Sequence, residues 1–374
     1  MAIYRPMIPY GKQSINQSDI DAVVSVLKSD FLTQGKKVVE FENSLARYCG
    51  ASYAKAVSSG TAALHLAYMA IGLGPKDIVW TVPNTFVATV NAALYCGAEV
   101  EFVDIDSETY NISIEKLKDK LTRAKEQNCL PKLIVPVHFS GQSCEMKDIW
   151  ELSKEYGFRV IEDASHALGG EYMGKKVGSC EYSDLAVFSF HPVKMITTGE
   201  GGAVITNSKR LNNRVELLRS HGIIKDKDRF KIKSEGDWYY EQQALGFNYR
   251  ITDIQSALGI SQLQRLDEFV AKRREVAKFY LGSLKNVILP YQHPAATSSW
   301  HLFVIQVKNR RAVYEKLRTQ GILTQVHYIP VTQQPFHSSQ FLQNSYNFYQ
   351  HCLSLPIYVD LTIEEQLEVV KSLQ

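Results

Sequence analysis

Between residues 56 and 206, short apolar runs alternate with helical patterns, and this alternation restricts the possible folds more than any other feature of the chain. Segments 56–58, 78–82, 100–103, 133–137, 159–162, 185–190 and 203–206 are rich in Val, Ile and Phe and read as buried strands. Helical periodicity fills most of the gaps, at 61–71, 85–95, 113–126 and 146–156. Strand and helix in alternation give a mostly parallel sheet covered on both faces. Ligands bind such sheets beyond the carboxyl ends of the strands. The residues just after each strand are therefore where chemistry is to be sought.

The pattern changes after residue 222. Segment 223–244 is polar and basic, encloses Trp238, Tyr239 and Tyr240, and reads as a long excursion of the functional or mobile kind. Thr252 and Gln255 have the spacing of a capping box. They open a helix toward Phe269, and 271–284 continues in register. The tail alternates differently, with strands expected at 300–307 and 322–327 and helices at 311–319 and 363–373. This predicts a large domain over 1–250 and a smaller α+β domain over 251–374. A length of 374 residues suits two domains at roughly 100–200 residues each.

Charge and cysteine usage exclude several classes of protein. Lys and Arg total 42 against 39 Asp and Glu, a formal net charge of +3. A chain that coats nucleic acid or an anionic membrane carries a clear basic excess, so neither is expected as a partner. The six cysteines include no C-x-x-C pair and resemble neither a zinc site nor a disulfide framework; no metal is expected, and a reducing cytoplasm is. The first six residues lack the apolar core of a signal peptide. The most apolar stretch, 62–73, contains His65 and falls short of the about 20 residues of a membrane span.

Three segments carry chemistry. Ser58, Ser59, Gly60 and Thr61 lie between a strand and a helix. A helix N-terminus offers unpaired amides and a positive dipole end to an anion, although the same residues also make an ordinary helix cap. Asp163 and His166 follow the strand at 159–162; a carboxylate there can hold a cationic ring nitrogen or cap a turn. Lys194 follows an aromatic strand and precedes the turn Gly199–Gly202, flanked by Val193, Met195 and Ile196. Apolar surroundings disfavour a charged amine, and a neutral amine condenses with an aldehyde to a Schiff base. A phosphate cradle, a ring-nitrogen carboxylate and such a lysine are together the parts that hold pyridoxal phosphate.

These motifs resemble the DegT/StrS family of sugar-nucleotide aminotransferases, which have the fold type I of pyridoxal-phosphate enzymes. The resemblance runs from Leu32-Thr33-Gln34-Gly35 to Leu355-Pro356. It rests on Ser59-Gly60-Thr61, Asp163-Ala164-Ser165-His166, Phe188-Ser189-Phe190-His191, Lys194 with Thr197 to Gly202, Arg219-Ser220-His221-Gly222, Gly246-Phe247-Asn248-Tyr249-Arg250 and Gln325-Val326-His327-Tyr328. It implies a mostly parallel seven-stranded sheet with a smaller α+β domain. It also implies that Lys194 joins the cofactor and shuttles the proton, Asp163 holds the pyridine nitrogen, and His166 contacts the ring hydroxyl side. Phe86 would stack on the ring. Ser59, Gly60, Thr61 and Ser189 would bind the phosphate, with Asn248 completing that site from the partner subunit of a homodimer.

The nucleotide sugar is implied to lie against Tyr10, Asp30, Phe31, Leu32, Thr33, Gly60 and Gln325, Val326, His327 and Tyr328, with Arg219, His221 and Arg250 as candidates for anionic groups. Gln325 to Tyr328 and Ser165 to Gly169 carry a narrower resemblance, to members of the pseudaminic acid pathway. That implies glutamate as donor and C4 of a UDP-linked 4-keto-6-deoxy-N-acetyl hexose as acceptor. Other readings are another nucleotide-linked keto sugar, of the bacillosamine or dTDP type, and a non-catalytic regulatory member. Lys36 stands where many relatives have Pro after Gly35. Related dehydrases carry His at the position of Lys194, so the lysine favours amino transfer.

Overall fold

The computed structural model describes residues 7–232, 234–337 and 340–374; the signal-peptide reading falls on residues 1–6 and lies outside them. Seven strands form the central sheet: β1 (Tyr53–Val57), β2 (Ile78–Thr81), β3 (Glu99–Phe102), β4 (Leu133–Val135), β5 (Arg159–Asp163), β6 (Leu185–Ser189) and β7 (Gly202–Thr206). Their order is β1-β7-β6-β5-β4-β2-β3. Strands β3, β2, β4, β5 and β6 pair in parallel, whereas β7 is antiparallel to both β6 and β1. Parallel neighbours need a crossover element between them. Segment 190–201 contains no helix, so the chain turns straight back and β7 runs the opposite way.

Both faces of the sheet are buried, as its apolar runs require. Leu185, Val187 and Val204 pack on one side with α3 (Gly60–Ile71) and α4 (Ala88–Tyr95). Ala186, Phe188, Ala203 and Ile205 pack on the other, following the two-residue period of a strand. Helix α3 is buried over most of its surface, and its alanines Ala62, Ala63, Ala67 and Ala70 let it lie close to the sheet. Leu64 and Leu66 fill the remaining space, each contributing about 1.5–3 kcal/mol over an exposed side chain.

The C-terminal third builds a separate layer. Strands β8 (Phe303–Gln306) and β9 (Cys352–Leu355) pair antiparallel, and the helices Leu266–Ser283 and Ile363–Leu373 share their apolar cluster. Ile8 joins this cluster from the other end of the chain. The helix Asp253–Gln264 instead packs on the first two helices, α1 (Gln17–Leu27) and α2 (Lys36–Cys49). Packing there is tight: a Cβ on Gly259 would lie 2.6 Å from the ring of Phe41.

Three expectations for local structure are corrected. Segment 322–327 is not a strand. It exchanges single pairs of bonds with Ile8 on one side and Ser354 on the other, leaving only isolated bridges. The helix expected from residue 252 to 284 breaks at Arg265, whose guanidinium turns to the buried Asp19. Helix α4 starts at Ala88 and not at residue 85. In the excursion at 223–244, Ile223–Ile224 pairs with Glu241–Gln242. Among the described residues no helix is long and apolar enough to cross a membrane, and no cluster of metal ligands occurs. All six cysteines are free thiols.

Candidate active site

A cleft of about 590 Å³ opens at the carboxyl ends of β5 and β6 and the N-terminus of α3, and the segment 325–328 closes its far side. The β6–β7 connection presents Lys194. Its loop is pinned around Phe190, whose carbonyl accepts from the Thr198 amide at 3.0 Å and the Thr197 hydroxyl at 3.1 Å. Met195 and Ile196 are buried beneath. The Lys194 side chain therefore reaches the cleft from an anchored turn. Burial lowers its pKa to about 8, against the opposing pull of Asp163. A large fraction of neutral amine at mildly alkaline pH follows.

Asp163 ends β5, buried, and its two oxygens are separately fixed. Thr89 Oγ1 donates to Oδ2 at 2.7 Å. The Ser165 hydroxyl and amide donate to Oδ1 at 2.6 and 3.2 Å. Thr89 is held in turn by Thr85, 2.8 Å away in the loop that leads into α4. Three neutral donors hold a carboxylate in place without cancelling its charge, which suits a site meant to face a cation. Thr89 escaped the sequence reading; its only signal was the one-turn spacing from Thr85, and nothing local connects it to Asp163.

At the head of α3, Ser59 is both cap and cleft wall, since its hydroxyl accepts from the Ala62 amide at 3.1 Å. Gly60 is required there. A Cβ on it would lie 2.8 Å from Ser189 Cβ, so only glycine lets the Ser189 hydroxyl stand against the first amides of the helix. Backbone donors, Ser189 and Thr61 thus converge where a phosphate would be bound.

His166 is buried, with its Nε2 2.9 Å from the Tyr328 hydroxyl. Burial first, then Lys194, His327 and His138, hold its pKa well below the ordinary imidazole value. His327 is pushed down to about 3, by burial and then Lys194, and its Nδ1 meets Ser354 Oγ at 2.8 Å. Phe86 lines the cleft and is 58% exposed as a residue, its ring 6.3 Å from that of Tyr328 between centroids. Tyr10, Gln325 and Val326 also line the cleft, as do His191, Glu200 and His301, which the sequence reading did not single out.

Other expected site residues lie elsewhere. Arg219 is buried away from the cleft, donating to Glu42 and, at 2.6 Å, to the Ala56 carbonyl; it is a structural cation and not an anion receptor for substrate. Asp30, Phe31, Leu32 and Thr33 are exposed and do not line this chain's cleft. Thr33 instead bridges Thr252. His221 and Asn248 are exposed, Asn248 bridging Ser220, while Arg250 bridges Val57 at the end of β1.

An α/β sheet whose strand ends gather a cradle for a phosphate, a held carboxylate and a lysine of lowered pKa defines an enzyme that works through an aldehyde cofactor. Residues 13–374 match the DegT/DnrJ/EryC1/StrS aminotransferase family, and the chain belongs to it. It is 43% identical to a UDP-4-amino-4,6-dideoxy-N-acetyl-β-L-altrosamine transaminase of Campylobacter jejuni, over 96% of this chain and 94% of the relative. It is 36% identical to the spore coat polysaccharide biosynthesis protein SpsC of Bacillus subtilis, over 98% of this chain and 96% of that one. Among solved structures it resembles Helicobacter pylori PseC, an aminotransferase involved in pseudaminic acid biosynthesis, with a TM-score of 0.89, 33% identity and 98% of each chain covered.

Proposed function

We propose that the protein uses pyridoxal phosphate to move the amino group of glutamate to C4 of a UDP-linked 4-keto-6-deoxy-N-acetyl hexose, in the pseudaminic acid pathway. The observation that carries this is the meeting of Lys194, Asp163 and the head of α3 around one cleft, in a chain 43% identical to a transaminase of that kind. When bound, the cofactor supplies an aldehyde and a ring that stabilises negative charge at the carbon beside the amine nitrogen.

The residues present fit that group. Gly60 leaves the space a Cβ would fill between the α3 amides and Ser189, and the donors there are of the kind a phosphate takes. Asp163, fixed by Thr89 and Ser165, would keep a proton on the ring nitrogen. Phe86 would cover one ring face. Lys194 Nζ would bind the aldehyde carbon and then carry the proton between carbon atoms. Its pKa of about 8 makes it able both to accept and to release that proton near neutrality. Tyr10, Gln325, Val326, His327 and Tyr328 would face the sugar.

The same reading proposes a homodimer. Asn248, exposed and outside its own cleft, would complete the phosphate site of a second copy, and residues 30–33, His221 and Arg250 would meet substrate only across that interface. It also takes 1–250 as the cofactor domain and 251–374 as the smaller one, and places the enzyme in the cytoplasm, where glutamate and UDP-sugars are found. The test is to titrate cofactor-free protein with pyridoxal phosphate, then offer L- and D-configured UDP-4-keto sugars and dTDP-4-keto sugars with glutamate. Release of 2-oxoglutarate with the L-configured UDP sugar is expected. Turnover of only another sugar would reassign the substrate, and no turnover with any would overturn the proposal.

A further inference from the structure

We propose that Asp253 is a positioning residue for the nucleotide sugar: it clamps segment 30–35 to the head of the helix Asp253–Gln264, so that Asp30, Phe31, Leu32 and Thr33 stand preformed for the cleft of a second copy. This rests on the homodimer and sugar reading above and adds to it the residue that fixes the segment's shape.

Helix α2 cannot cap itself with a side chain. Its N-cap is Gly35, and its first two residues are Lys36 and Lys37. Cations there oppose the helix dipole, and the first amides need acceptors. Asp253 supplies both a negative charge and two acceptors from 218 residues away in sequence. It is buried. Its Oδ2 accepts from the Gly35 amide at 2.7 Å and its Oδ1 from the Lys37 amide at 2.9 Å. An ionised acceptor makes such bonds stronger than a neutral one does. In return the Asp253 amide donates to the Leu32 carbonyl at 3.0 Å, and Thr252 bridges Thr33. Gly35 is fitted to this clamp, since a Cβ on it would lie 2.8 Å from both Asp253 Oδ1 and Phe31 Cβ. Gln34 has a φ of 57°, a region that residues other than glycine seldom enter, so the turn takes its shape from these bonds.

The clamp holds the backbone and leaves the side chains out. Phe31 is 63% exposed and Leu32 45%. Apolar groups carried on a fixed backbone give up little freedom when they meet a ligand. The head of the same helix also reaches the loop of Lys194, because Gln255 Nε2 donates to the Glu200 carbonyl at 2.7 Å. It therefore stands between two clefts, supporting the lysine turn of its own chain and the segment offered to the other. Loss of the Asp253 carboxylate releases the segment and leaves the Gln255 bond in place.

The test uses pyridoxal-phosphate-loaded wild type, Asp253→Asn, which keeps the shape and removes the charge and one acceptor, and Gly35→Ala, which disturbs the clamp from its other side. Hydrogen exchange read by mass spectrometry on peptides covering 30–40 should be about tenfold faster in Asp253→Asn, with the strands of the central sheet unaffected. Equal exchange in wild type and variant would overturn the clamp. In kinetics, both variants should raise KM for the UDP-keto sugar about tenfold, and the double variant should be little worse than either single one, because both break the same contact. The rate at which glutamate alone releases one equivalent of 2-oxoglutarate should stay at the wild-type level. Faster exchange with an unchanged KM for the sugar would refute the positioning role, and so would an equal loss in the glutamate step, which marks general damage to the fold. Wild type that turned over no UDP-keto sugar would instead sink the proposed function, while the exchange arm would still read whether Asp253 holds the segment.

Discussion

Replacing Lys194 with methionine should make the cofactor-free protein more stable, although it removes the residue on which the proposed reaction depends. The folded-state pKa of about 8 lies below the ordinary 10.5. At about 1.4 kcal/mol per unit, that is roughly 3 kcal/mol against the charged amine; its partial opening to the cleft reduces this to about 2 kcal/mol. The sign follows from linkage. As pH falls from 10.5 toward 8 the unfolded chain takes up the proton first, so the penalty grows through this window and is complete below it. Methionine has a similar shape and no charge. Urea unfolding of stripped wild type and Lys194→Met should show the variant more stable by about 2 kcal/mol at pH 7 and by under about 1 kcal/mol at pH 10. A variant no more stable than wild type at pH 7, or a difference that does not shrink at pH 10, would refute the reasoning.

Three further outcomes are expected. Gly60→Ala should weaken pyridoxal phosphate binding about tenfold or more by forcing Ser189 from the head of α3, read by absorbance titration, with little change in the circular dichroism of the sheet and helices. Thr89→Val should leave Asp163 Oδ2 without its donor and lower kcat about tenfold with KM for the sugar nearly unchanged, in steady-state assays. Arg219→Met should cost roughly 3 kcal/mol of stability by leaving the buried Glu42 with Lys55 and the Ala56 amide but without its guanidinium partner, in urea unfolding, while the KM values of both substrates stay at wild-type levels.

Much of the fold was legible because the strands are buried on both faces. Runs such as Leu185–Ser189 and Gly202–Thr206 have no polar side to turn outward and admit few other assignments. The antiparallel return of β7 was visible only as a connection without a helix. Segment 322–327 has the composition of a strand, but whether it becomes one depends on partners 346 residues apart in sequence, Ile8 and Ser354. The break at Arg265 depends likewise on a carboxylate, Asp19, that belongs to the first helix. In the cleft, residues that follow strands were found because topology dictates where ligands bind. Thr89 was not, since its role exists only through Asp163, and Arg219 was misread because its partner Glu42 lies in a distant helix. Tyr328 was recognised as a cleft residue, but its bond to His166 joins two segments that no local pattern connects.

The central claim is amino transfer that depends on Lys194. It is tested most directly by incubating pyridoxal-phosphate-loaded enzyme with glutamate and the L-configured UDP-4-keto-6-deoxy-N-acetyl hexose, measuring 2-oxoglutarate and 4-amino sugar together. Equal amounts of the two products from wild type, and neither from a colourless Lys194→Ala variant, are predicted. Amino sugar formed by Lys194→Ala at the wild-type rate would contradict the account.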